Sequence, residues 1–181
     1  LVLVVIGLIA CLFVGCTPPT VPSEGDGEPE QVDRVVLMEL FMAKGCHICE
    51  GIEPILEQLA DEYNRSALIL IEEAVWGAVY STTENKNRFK WYFPNSKGVP
   101  YTAFNGLNKQ VKGTSNYSTF KSYINAELTK EARIAITAVR INDSPTTTIT
   151  GSIKNISDAT ISNLVINGMI FKDRGMTGFK Y

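Results

Sequence analysis

The chain has 181 residues, 45% of them hydrophobic and 20% charged, with a net charge of −2. That is room for one ordinary domain and a smaller companion. Its 17 Lys and Arg never gather into a run, which argues against nucleic acid as a partner. The four cysteines are too unevenly placed for a disulfide-knit secreted scaffold. Cys11 and Cys16 lie in or beside an apolar N-terminal run, and Cys46 and Cys49 form the one close pair beyond it.

Residues 1–14 are apolar or small and carry no charge. The run is shorter than the roughly 20 residues of a membrane-spanning helix and fits the apolar region of a signal peptide. It ends in Phe13-Val14-Gly15-Cys16, which resembles the lipobox of bacterial lipoproteins, with Phe13 standing where Leu is usual. The resemblance implies that residues 1–16 are a signal peptide and that the Cys16 thiol is the lipidation site. The alternative is an ordinary signal peptide or membrane anchor with an incidental cysteine. Residues 17–31 hold Pro18, Pro19, Pro22 and Pro29 together with glycines and acidic residues, the composition of an extended tether that buries little. Each reading puts the rest of the chain outside the cytoplasm. The lipoprotein reading puts it at the external face of a bacterial or archaeal cell membrane, held there by a lipid anchor. The opening at Leu1 and the stop at Tyr181 within a β-rich stretch read as a piece of a longer protein.

From residue 32 the texture changes. Residues 35–42 are an almost unbroken apolar run, as in a strand buried on both faces. Lys44-Gly45 breaks it, and Cys46-His47-Ile48-Cys49 comes next. Ile48, Ile52, Ile55, Leu56, Leu59 and Tyr63 then recur at helical spacing. The CxxC is therefore expected at a strand-to-helix junction, where unsatisfied N–H groups of a first helical turn favour a thiolate. Cys46, at the exposed end, is the expected nucleophile, and Cys49 the thiol that resolves a mixed disulfide. A protonated His47 would favour the thiolate, whereas Glu50 and Glu53 oppose it. The bland readings are a structural disulfide or half of a zinc site completed across a dimer, since zinc needs four ligands and beyond the pair the mature chain offers no Cys or His but Cys16 on the tether and His47 inside the motif.

Farther on, residues 67–76 read as a strand, 84–93 as a helix, 101–104 and 109–112 as a hairpin, and 117–131 as a helix. Strand, CxxC and helix, with Pro54 five residues after Cys49 and Gly98-Val99-Pro100-Tyr101 leading into a strand, resemble the thioredoxin superfamily over residues 32–131. The resemblance implies an α/β thioredoxin-like fold, a central mixed sheet flanked by helices, with Pro54 kinking the active-site helix. It also implies a cis bond before Pro100, which would lie against the CxxC, and a substrate chain paired to the Val99 backbone. It implies thiol–disulfide exchange by the catalytic pair Cys46 and Cys49, with no metal or organic cofactor. The partners would be exported protein disulfides or thiols and a membrane donor or acceptor of electrons.

Two positions depart from the pattern. Leu40 stands where many thioredoxins bury an acid six residues before the first cysteine, with Glu39 beside it facing another way. Gly45 stands where they carry Trp. Both departures point to a specialised partner rather than general disulfide reduction. The aromatic-rich stretch 76–96 is longer than a thioredoxin needs. It reads mainly as core, with a partner surface as the alternative.

Residues 132–181 show β-branched alternation. Strands are expected at 134–140, 146–154 and 161–171, resembling the opening of an immunoglobulin-like sandwich, a partial all-β domain. Two rivals to the exchange reading remain. One is a surface-interaction lipoprotein with a permanent Cys46–Cys49 disulfide. The other is a metal-carrying assembly factor using the two thiolates.

Overall fold

The computed structural model describes residues 31–77, 80–114 and 116–169. The expectations for the signal peptide and for lipidation at Cys16 lie outside the described residues, as do most of the tether and the end of the chain.

The apolar run forms β1 (Val36–Ala43), with six of its eight residues buried. An alternating strand would expose one face, so a run this continuous needs packing on both sides. Strand β2 (Leu68–Trp76) pairs parallel to β1, and β3 (Tyr101–Phe104) pairs antiparallel on its other side. Strand β4 (Lys109–Lys112) closes the edge, giving a four-stranded mixed sheet in the order β2-β1-β3-β4. This mixed α/β arrangement is compatible with a thioredoxin-like fold.

Helices cover both faces. On one, Met38, Leu40 and Met42 of β1 pack with Leu56 and Leu59 of α2 (Glu53–Glu62) and with Phe120 and Ile124 of α4 (Tyr117–Leu128). On the other, Phe41 packs with Val75 and with Phe89 and Tyr92 of α3 (Thr83–Tyr92). The aromatic-rich stretch divides accordingly. Phe89, Tyr92 and Phe93 are buried in that second core, whereas Trp91 is exposed and stacks on Tyr92 at 4.9 Å.

Side chains fix where elements begin and turn. Thr82 and Asn116 cap α3 and α4 by accepting the N–H of Asn85 and Thr119. After β3, Asn105 adopts a left-handed φ of 48° that Asn tolerates better than most residues. Its N–H donates to the Leu37 carbonyl, and its side-chain oxygen accepts the Leu37 N–H, both at 2.8 Å. Its amide also donates to Glu127 at 2.9 Å, and Glu127 in turn pairs with Arg34 at 3.0 Å and with Lys130. Burial pushes the Glu127 carboxyl up, but hydrogen bonds from Lys130, Asn105 and Arg34 outweigh it and hold the group below its ordinary range.

Three expectations need correction. The helix expected to reach residue 131 ends at Leu128, where Thr129 and Lys130 turn back onto the last carbonyls. The helix after the CxxC divides into α1 (His47–Glu50) and α2. Gly51 and Ile52 between them stay in the right-handed region, bridged by the short-step bond from the Ile52 N–H to the Cys49 carbonyl. Pro54 has no N–H for the Glu50 carbonyl four residues back, so the regular ladder stops there. Finally, residues 161–169 form no strand. Strands β5 (Ile134–Asp143) and β6 (Thr146–Asn155) make a two-stranded sheet that turns at Ser144-Pro145. Leu164-Val165-Ile166 has strand-forming side chains, but Asn163 before it takes a positive φ of 56° and no described strand pairs with it.

Candidate functional site

The sheet delivers Cys46 at the C-terminal end of its central strand. At that end the pairing of β1 with β2 slips, from Met42 opposite Ala74 to Ala43 opposite Trp76. Such an irregularity bends a strand and re-aims the residues after it. Gly45, at a φ of +74°, then makes the turn a side chain would resist. Cys46 is left in extended backbone as the N-cap of α1.

Cys46 and Cys49 are bonded through their sulfurs, with 5.2 Å between their Cα atoms. The two sulfurs differ in access. Cys49 is 1% exposed within the core that holds Leu40, Ile52 and Leu56, whereas Cys46 is half-buried at its margin. The Cys49 N–H points at Cys46 Sγ from 3.2 Å. Helix α1 has only four residues, so what the fold aims at this sulfur is that one N–H rather than a long helix dipole.

The Val99–Pro100 bond is cis, and Pro100 is buried. Cys46 Sγ lies 3.9 Å from the Val99 carbonyl oxygen. With the disulfide closed that sulfur carries no hydrogen, so the approach is a contact rather than a hydrogen bond. The fold thus brings together Cys46, Cys49 and Val99, although Val99 is more than fifty residues away in sequence. His47 is not drawn in. Its side chain is 91% exposed, and its Nδ1 faces Glu50 at 3.5 Å.

Leu40 packs in the cysteine core, and Glu39 points through the opposite face of the sheet. There Glu39, fully buried, accepts from Arg88 Nε at 2.5 Å and from the Tyr92 hydroxyl at 2.9 Å. Glu73 of β2, also buried, lies 3.3 Å from the same Arg88 nitrogen. The single hydrogen on Nε is taken by Glu39, which leaves Glu73 Oε1 with the attraction but no hydrogen bond. Burial, then the neighbouring Glu39, push the Glu73 carboxyl up to about 8 despite Arg88. Tyr92 is raised as well, again chiefly by burial and then by Glu39.

Glu73 and Arg88 do not stand out in the sequence as partners. The one signal is a Glu72-Glu73 step inside an otherwise apolar strand, where alternation sends one of two acids inward. For Glu53 the sequence shows only a charge near the cysteines. In the fold Glu53 joins Met42, Lys44, Cys46 and Cys49 around a cleft of about 30 Å³, and its Oε1 is buried with no hydrogen-bond partner.

Among the described residues no group of three or more His, Cys, Asp or Glu is placed to hold a metal ion. No helix among them is long and apolar enough to cross a membrane. Neither a protein-family model nor a curated protein matches the chain.

Proposed function

We propose that this protein is an extracytoplasmic, lipid-anchored thiol–disulfide oxidoreductase of the thioredoxin superfamily. Cys46 is its nucleophile and Cys49 its resolving thiol. The observation that carries the reading is the asymmetry of the pair. One sulfur is reachable from solvent beside the Val99 carbonyl, and the other is buried one turn along. In the exchange, the Cys46 thiolate attacks one sulfur of a substrate disulfide and releases the other as a thiolate. Cys49 then attacks Cys46 Sγ, closing the intramolecular disulfide and freeing the second substrate thiol. The reverse sequence oxidises a substrate dithiol. Val99 contributes a carbonyl that an extended substrate backbone can pair with.

Strand order and the strand-to-helix position of the CxxC support the thioredoxin-like assignment. The β5–β6 hairpin supports reading residues 132–181 as the start of an immunoglobulin-like sandwich. The tether and the lipid anchor at Cys16 rest on the sequence alone, and they imply exported proteins and a membrane redox partner.

The reduction potential of the Cys46–Cys49 pair in residues 31–181 tests the reading, by equilibration against glutathione or dithiothreitol. A value between about −120 and −270 mV, the span of exchange catalysts, is expected and gives the direction of transfer. A value below about −300 mV, as in structural bridges, would replace this reading with a permanently oxidised interaction scaffold.

A further inference from the structure

For Cys49 to resolve a mixed disulfide it must first become a thiolate, and a thiol 1% exposed cannot readily hand its proton to bulk water. A base must therefore lie within reach. The strand residue Leu40 packs beside Cys49 and has no proton to exchange. Glu39 is on the far side of the sheet, held by Arg88 and Tyr92. Two carboxylates line the cleft that the cysteines share, Glu50 and Glu53. Glu50 is more than half exposed and turned to His47. Glu53 begins α2 one helical turn beyond Cys49, and its Oε1 is buried without a hydrogen-bond partner. A buried carboxylate oxygen without a hydrogen bond costs stability, so its presence calls for a role that offsets the cost.

We propose, on the footing of the exchange function above, that Glu53 accepts the proton of Cys49 during resolution and returns it in the reverse reaction. With a substrate disulfide as oxidant, the Cys46 thiolate forms the mixed disulfide and expels the first substrate sulfur as a thiolate. The proton of Cys49 then passes to the Glu53 carboxylate, directly or through one water, for which a cleft of about 30 Å³ has room. The Cys49 electron pair attacks Cys46 Sγ, the Cys46–substrate bond breaks, and the second substrate sulfur leaves. Glu53 passes its proton to that sulfur or to solvent. One protein thiolate and one thiol become a disulfide, the substrate gains two electrons, and the single proton released by Cys49 ends on the second substrate sulfur or in solvent, the first sulfur having left as a thiolate. The general base thus stands on the helix side of the motif rather than on the strand.

The test uses the reduced full chain in detergent, with Cys11→Ser and Cys16→Ser so that only the pair reacts. Dithiobis(nitrobenzoate) is an aromatic disulfide that releases one coloured thiolate when Cys46 attacks and a second when Cys49 resolves. In Glu53→Gln the second release is expected to slow by about a hundredfold at neutral pH, the scale of general-base catalysis, while the first stays within about threefold. Without that acceptor hydroxide must take the Cys49 proton, so the shortfall of the variant in the second release should shrink as pH rises. The other charged groups at the cleft, Lys44 and Glu50, with His47 beside Glu50, remain in place. Glu53→Asp keeps a proton acceptor and should recover most of the rate. Glu57→Gln, one turn farther along α2, should match the wild type. An unchanged second release in Glu53→Gln, or equal slowing of both releases, overturns the proposal and leaves the exchange function standing. A wild type that never makes the second release overturns both.

Discussion

Glu73 ties the protein's stability to pH through a single proton. In the unfolded chain the carboxyl titrates near 4.5, and in the fold burial and Glu39 raise it to about 8. Between those values the native state holds a proton that the unfolded state has released, so stability falls as pH rises through this window and levels off above it. Glu73→Gln keeps a polar group of the same shape and removes the titration. Urea unfolding across the window should show a much flatter profile for the variant, with the variant more stable than the wild type above pH 8. An equally steep profile would place the titrating group elsewhere. Glu127 works with the opposite sign. Its carboxyl is held low, so the stability it adds is present above the ordinary carboxylate range and lost as pH falls through its lowered value. None of the Glu39–Glu73–Arg88–Tyr92 pairing was legible in sequence, because its members come from three elements and meet only when α3 packs on the sheet. Glu53 was hidden for a different reason. Whether its carboxylate meets the cysteine cleft depends on how the chain turns between α1 and α2, and composition says nothing of that.

At the scale of elements, most of the sheet and helices were readable to within a residue or two. Residues 101–104 and 109–112 fall on β3 and β4, and the apolar run at 35–42 falls one residue short of β1. These segments carry their own periodicity. The strand expected at 161–171 failed over its described part because a strand needs a neighbour, and propensity alone supplies none. The junction of β1, β3 and α4 rests on Asn105, which combines a left-handed backbone with bonds to Leu37 and Glu127. Asn105→Gly keeps the backbone freedom and loses the side-chain bonds, whereas Asn105→Ala loses both. Chemical denaturation should therefore rank the wild type above Gly and Gly above Ala, with Ala costing about 2–4 kcal/mol. Alanine tolerated as well as glycine would mean that the turn relaxes out of its left-handed conformation.

Across the whole described chain, stability is divided unequally. The four-stranded sheet buries side chains on both faces, whereas β5 and β6 expose nearly every residue, Ile136 and Ile149 at about 70% among them, and only Ala135 is buried. A two-stranded sheet without a packed face is marginal in water. Amide hydrogens of β5 and β6 should exchange orders of magnitude faster than those of β1, by routes that leave the larger sheet intact. A chain ending at residue 131 should keep the melting temperature and the Cys46 reactivity of the longer one. A large drop in either would show that the hairpin supports the sheet in a way its exposure does not suggest.

Neighbouring residues of a strand point to opposite sides, so Leu40 and Glu39 are one step apart along the chain and a full sheet thickness apart in space. A slip of β1 by one residue would turn every side chain to the other face, and in one direction it would set Glu39 in the place of Leu40 within the cysteine core and Met38 in the place of Glu39 against Arg88. The pairings that prevent it are Met38 with Phe104 and Leu40 with Thr102 on one side, and Leu37 with Ile69 on the other. The electrical environment of the sulfurs is thus inherited from strand alignment. An insertion or deletion near the start of β1, well away from either cysteine, would rebuild the surroundings of the cysteine pair without changing one of its residues.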